Sequence, residues 1–208
     1  GYAEQLQVAA TGDAENARTL GRIAAVEGAA VGLNLALGPI ADIDLNYFNP
    51  ITNVRTYGSA ADTVREMAVA CHRGLREGGL FATAKHFPGD GVDDRDQHLL
   101  TSVNRLGREE WDNSFGNVYS ALIEDGVLAV MAGHIALPAY QTDKDMEVSE
   151  MPLPASLSKD LLQGLLRQKL GFNGLVVTDA TPMVGFCSAM ERRRAVPYSI
   201  EAGCDIFL

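Results

Sequence analysis

Residues 85–98, KHFPGDGVDDRDQH, gather one lysine, two histidines and four aspartates around two glycines. So dense a set of titratable groups costs stability through self-repulsion unless it binds or transforms something. Asp96 and His98 are two apart, so both side chains face one way from extended backbone. A carboxylate beside an imidazole orients the ring and raises its basicity, the relation used in acid–base catalysis. Lys85 ends an apolar run, and a buried lysine needs a carboxylate or a ligand. In a straight strand, His86 beside it points to the opposite side.

Further along, GLVVTDA drives four apolar residues into Asp179. An aspartate there can cap the following helix, but Thr181-Pro182 already looks like an N-cap with proline at the first helical position. Asp179 is therefore free for chemistry. Asp42, Asp44 and Asn46 read equally well as turn residues, and His134 in MAGHIALP as a hydrogen-bonded core histidine; His72 sits mid-helix without an assigned role. Metal is the competing chemistry. DGVDDRD has the acids of a calcium loop, yet it lacks the glutamate twelve positions along and the flanking helices. His86, His98, His134 and Asp179 could form a zinc set, but no HxH or HExxH spacing supports one. The reading needs neither metal nor cofactor.

The elements that position these residues repeat one phrase: amphipathic stretch, glycine, short apolar run. The runs begin at Gly32, Gly79, Gly126, Gly174 and Gly203. Each glycine suits a helix stop, and each run suits a strand buried on both faces of a parallel sheet. Helices are expected over 13–30, 60–77, 107–125 and 156–170, the last with Leu157, Leu161, Leu162, Leu165 and Leu166 on one face. Leu137 to Ala155, with three prolines, reads as one extended loop. Asp42, Lys85, His134 and Asp179 all fall at the C-terminal ends of strands, the signature of a (β/α)8 TIM-type barrel. Only five strands are legible, so the barrel is expected to be incomplete, with one or more N-terminal strands missing.

The chain has 208 residues, 47% hydrophobic and 21% charged, enough for one core. Its formal net charge of −10 argues against a nucleic-acid partner. No apolar run approaches the roughly 20 residues that span a bilayer. Three scattered cysteines read as reduced and structural, which favours a cytoplasmic location.

Several segments in order, NPITNVRTYG, KHFPGDG followed by Asp96-Gln97-His98, and LGFNGLVVTDA, resemble the catalytic barrel of family 3 glycoside hydrolases. The branch most similar is the bacterial β-N-acetylhexosaminidases. The resemblance covers nearly all of residues 1–208, read as a single, truncated barrel domain. It implies that Asp179 is the nucleophile of a covalent glycosyl-enzyme and His98, held by Asp96, the general acid and base. Arg55, Lys85, His86, His134 and Asp42 would bind the sugar. It implies a terminal β-linked N-acetylglucosamine as substrate, as in peptidoglycan recycling. Alternatives are a β-glucosidase or β-xylosidase whose acid comes from a missing domain, or a non-catalytic sugar-binding or scaffold barrel. A second copy or domain is expected over the open barrel edge. Asp90 departs from the family's histidine, and Ala180-Thr181-Pro182 from the usual residues after the nucleophile.

Overall fold

Four of the five apolar runs lie side by side in one parallel sheet, and the fifth adds a parallel bridge. In the computed structural model, which describes residues 3–142 and 151–208, the sheet order is β1 (Leu35–Ala36), β2 (Phe81–Phe87), β4 (Ala129–Ala132) and β6 (Leu175–Thr178). Every pair is parallel. The run after Gly203 closes on β6 through the bridge Val177–Ile206. The outer side of β1 pairs with no strand among the described residues. Nearby, Val31, Leu33 and Leu37 are exposed. Among the described residues, no closed ring of strands forms.

The helices follow the periodicity. Asp13 caps α2 (Ala14–Ala30) by accepting from the Glu15 N–H. It packs on α3 (Ala61–Glu77) at an approach set by glycine: a Cβ on Gly74 would lie 1.9 Å from the Arg18 carbonyl oxygen. The segment expected as one helix over 107–125 is α4 (Arg108–Trp111), a π-type turn over Asp112–Gly116, and α5 (Asn117–Glu124). The 156–170 helix is a π-type helix over Asp160–Lys169, burying Leu161, Leu162, Leu165 and Leu166. Leu157 is buried in a separate 3-10 turn. The short helix α1 (Gln5–Ala9) precedes all of these. Among the described residues, no helix is long and apolar enough to cross a membrane.

Three expectations change. The helix after Asp179 is α6 (Val184–Cys187) and starts beyond Pro182, because the Thr181 hydroxyl donates to the Leu208 carbonyl instead of capping. It leads into α7 (Arg192–Ala202). The loop from Leu137 to Ala155 begins with a 3-10 turn at Pro138–Tyr140, and its middle, 143–150, lies outside the described residues. A second small parallel sheet, β3 (Ser102–Val103) with β5 (Ile135–Ala136), was not foreseen. It ties the end of the charged loop to the chain beyond His134.

Candidate active site

The C-terminal ends of β2, β4 and β6 converge on Asp179. Its N–H donates to the Ala132 carbonyl at 2.9 Å, so β4 fixes where the residue leaves the sheet. Its Oδ1 accepts from the Ala180 N–H at 2.8 Å. Oδ2 lies 3.9 Å from His86 Nε2, and the side chain is only 15% exposed.

His86 is held from the other side. Its Nδ1 meets Asp42 Oδ2 at 2.7 Å, and Asp42 Oδ1 accepts the backbone N–H groups of His86 and Asp90. With only acceptors on Asp42, His86 carries a proton on Nδ1 and presents Nε2 to Asp179. Burial pulls the His86 pKa down, but the adjacent Asp42 carboxylate outweighs it and the net shift is upward. Burial pushes Asp42 up, yet His86 and the backbone donors leave its pKa below the ordinary value. Asp42 is 2% exposed, with both oxygens occupied by protein donors. In this geometry Asp42 supports His86.

Strand β2 does not run straight here, and the charges of Asp179 and Asp42 act on both Lys85 and His86. Its pairing with β4 shifts register between Ala84 and Phe87, and the Lys85–His86 peptide is cis. Burial and the nearby Arg55 lower the Lys85 pKa, opposed by the attraction of Asp179 and Asp42. Arg55 ends a 3-10 turn at Asn53–Arg55. Arg55 and Lys85 line a cavity of about 430 Å³ that continues along Ala36–Ile40, α1 and α2. Asp179 and His98 are not in its lining.

His134 is fully buried and both ring nitrogens are engaged: Nδ1 with Ser156 Oγ at 2.9 Å, Nε2 with the Ala180 carbonyl at 3.0 Å. A carbonyl only accepts, so Nε2 carries the proton and Ser156 donates to Nδ1. Burial lowers the His134 pKa and favours this neutral form. His134 thus braces the segment after Asp179, with no ring nitrogen left for a sugar.

The Asp96–His98 pair forms as expected. His98 Nδ1 lies 2.6 Å from Asp96 Oδ1, which also accepts the His98 N–H at 2.8 Å. The imidazole is 53% exposed. The turn is clipped to α6: the Val184 N–H donates to the His98 carbonyl, and the Thr101 hydroxyl to the Gly185 carbonyl.

Two further aspartates of the loop, Asp90 and Asp93, turn inward. Asp93 accepts from Arg95 and from the Val103 N–H, anchoring β3. Gly91, at φ +107°, has room for no side chain, since a Cβ would lie 2.0 Å from the Ile43 carbonyl oxygen. The contacts of Asp90 are with Asn49 Nδ2, Gln97 Nε2 and the Gly91 N–H. Sequence reasoning passed over Asn49, Gln97 and Ser156. The one available signal was alternation: if Asp96 and His98 face out, Gln97 between them faces in. His72, given no role, is a buried partner of Asp125 at 2.7 Å. Among the described residues, no three His, Cys, Asp or Glu side chains are placed to hold a metal ion.

A parallel α/β sheet thus carries a carboxylate at one strand tip, and the loop after β2 carries an imidazole–carboxylate pair. Residues 3–208 match the glycosyl hydrolase family 3 N terminal domain, and the chain belongs to that family. It is 51% identical over 204 residues to a β-N-acetylglucosaminidase/β-glucosidase of Cellulomonas fimi, covering 98% of this chain and 36% of the relative. It superposes on β-glucoside phosphorylase BglX bound to 2FGlc with a TM-score of 0.92 and 49% identity, over 99% of this chain and 37% of the other. A family 3 β-N-acetylglucosaminidase from Paenibacillus sp. str. FPU-7 gives a TM-score of 0.89 at 35% identity, over 99% and 37%. The chain spans little more than a third of the length of these relatives.

Proposed function

We propose that the protein is a retaining β-glycosidase that removes terminal β-linked N-acetylglucosamine, with Asp179 as nucleophile and His98 as general acid and base. The observation that carries this reading is the pairing of His98 Nδ1 with Asp96 at 2.6 Å on a turn clipped to the helix that follows Asp179. In the first step an Asp179 oxygen bonds to the anomeric carbon. The bond to the aglycone oxygen breaks, and the His98 imidazolium gives that oxygen its Nε2 proton. In the second step neutral His98 takes a proton from water, whose oxygen attacks the anomeric carbon and releases the Asp179 carboxylate. Asp96 fixes the tautomer in which Nε2 does this work. Arg55 and Lys85 bind sugar hydroxyls, and His86, backed by Asp42, faces Asp179. Among the described cysteines, Cys71, Cys187 and Cys204 are free, in keeping with a cytoplasmic enzyme of cell-wall sugar recycling.

A second reading concerns sugar and acceptor. The Cellulomonas relative is named for both N-acetylglucosaminide and glucoside cleavage, and the BglX structure is of a phosphorylase. After giving up its proton His98 is neutral, so an incoming phosphate dianion meets no repulsion from it, as it would from a carboxylate. Phosphate in place of water would yield a sugar 1-phosphate.

The test is covalent trapping in the full-length protein. A 2-deoxy-2-fluoro glycosyl donor should label Asp179 and no other residue, and Asp179→Asn should remain folded while turnover falls to background. A label elsewhere sinks the assignment. Comparing products with and without inorganic phosphate separates the two acceptors.

A further inference from the structure

We propose that Asp90 is a positioning residue for the acid–base turn, acting through Gln97; this rests on His98 being the acid. Asp90, Asn49 and Gln97 are each no more than 2% exposed. Asp90 Oδ1 accepts from the Gly91 N–H at 2.7 Å and from Asn49 Nδ2 at 2.9 Å. Its Oδ2 accepts from Gln97 Nε2 at 3.1 Å. Gln97 then accepts the His134 N–H on Oε1 at 3.0 Å. The chain of donors has one direction, from the His134 N–H and the Gln97 amide to a group that only accepts. Gln97 stands between Asp96 and His98, so fixing its amide fixes the backbone that carries both. Its carbonyl lies against Gly185 so closely that a Cβ there would come within 2.3 Å. The turn is therefore held on its buried side by Asp90 and on its other side by α6.

Only an ionised carboxylate completes this network. The groups that face Asp90 are Asp42, His86 and the buried Tyr119 phenol. Burial and then the Asp42 charge push Asp90 up to about 6, with His86 and the donors opposing. Protonation would place a hydrogen against the Gln97 amide or remove an acceptor from Gly91 and Asn49. The hold on the turn is thus complete above that value and loosens as pH falls through it.

Asparagine at 90 keeps the shape but cannot keep the network. Its oxygen can serve Gly91 and Asn49, and its NH2 then meets the NH2 of Gln97. If Gln97 flips, its NH2 meets the His134 N–H instead. Asp90→Asn combined with Gln97→Glu resolves both conflicts, because the new amide donates to a carboxylate that still accepts from His134.

The experiment compares a sugar aglycone with a nitrophenyl aglycone in the full-length protein. Asp90→Asn should lower kcat about 10²-fold on the sugar aglycone, the scale of a roughly 1 Å misplacement. Its kcat/KM should fall far less on nitrophenyl, whose glycosylation step needs little help from an acid. The double variant should recover most of the loss. Gln97→Met, which cuts the link and leaves Asp90 intact, should behave as Asp90→Asn and serves if that variant does not fold. Equal losses on both aglycones, or a folded double variant without recovery, overturns the proposal. His98→Ala runs alongside. If it shows no aglycone dependence, the acid lies elsewhere, and the functional reading falls together with this one.

Discussion

Replacing Asp42 by asparagine tests the pair that supports the buried half of the site. Asp42 Oδ1 accepts two backbone N–H groups, from His86 and Asp90 at 3.0 and 2.8 Å, and Oδ2 accepts His86 Nδ1 at 2.7 Å. One amide oxygen can still serve both backbone donors, but the NH2 now faces Nδ1. What is lost is one charge-assisted hydrogen bond between buried groups, about 1.5–3 kcal/mol. The sign depends on pH. The folded pKa of His86 is raised, so its share of stability is complete below the unfolded value and fades as pH rises through the folded one. The folded pKa of Asp42 is lowered, so its share is present above the unfolded value and fades as pH falls through the folded one. The loss should therefore be greatest between the two unfolded values and shrink as pH rises through the folded His86 value or falls through the folded Asp42 value. Urea unfolding at a series of pH values measures it. Ring resonances should show His86 titrating lower in the variant, since burial then acts without the carboxylate, with the neutral proton moved to Nε2. A loss that is the same at every pH, with His86 titration unchanged, would refute the pairing.

Other consequences follow from single contacts. His98→Ala should slow glycosylation about 10²- to 10⁴-fold for a sugar aglycone. The loss should be far smaller for nitrophenyl, where slow deglycosylation lets the covalent intermediate accumulate as a burst; equal losses without a burst would make His98 a binding residue. Asp96→Asn should show the same pattern more mildly, because the bond at 2.6 Å orients the ring rather than transferring the proton. Gly74→Ala should lower the melting temperature without touching the aglycone ratio, since a Cβ there collides with the Arg18 carbonyl oxygen at 1.9 Å and forces α2 and α3 apart. A melting temperature equal to wild type would mean that the helices yield more easily than their packing implies.

The strands and long helices were legible because burial on two faces leaves a mark: an apolar run after a glycine has few other readings. Hydrogen-bonding choices leave none. Thr181-Pro182 has the chemistry of a helix start, and nothing local says that the Leu208 carbonyl, distant in sequence, takes the hydroxyl. The π-type stretches at Asp112–Gly116 and Asp160–Lys169 carry ordinary helical periodicity. β3 and β5 are two residues each, too short for any alternation to register.

The site divides along the same line. Residues that face the cleft were visible by type, since a strand-tip aspartate or an exposed Asp-x-His stands out against an apolar background. Residues that face inward show less in the sequence, because their partners come from other elements: Asp42 from His86, His134 from Ser156 and Ala180; Gln97 meets Asp90 only because the loop folds back. The charged loop at 85–98 tolerates its own repulsion for that reason. Asp93 is neutralised by Arg95, Asp96 is paired with His98, and Asp90 is surrounded by amide donors. The four aspartates that looked like a ligand set are thus divided: Asp96 pairs with His98, Asp90 and Asp93 tie the loop to its framework, and Asp94 is left to solvent.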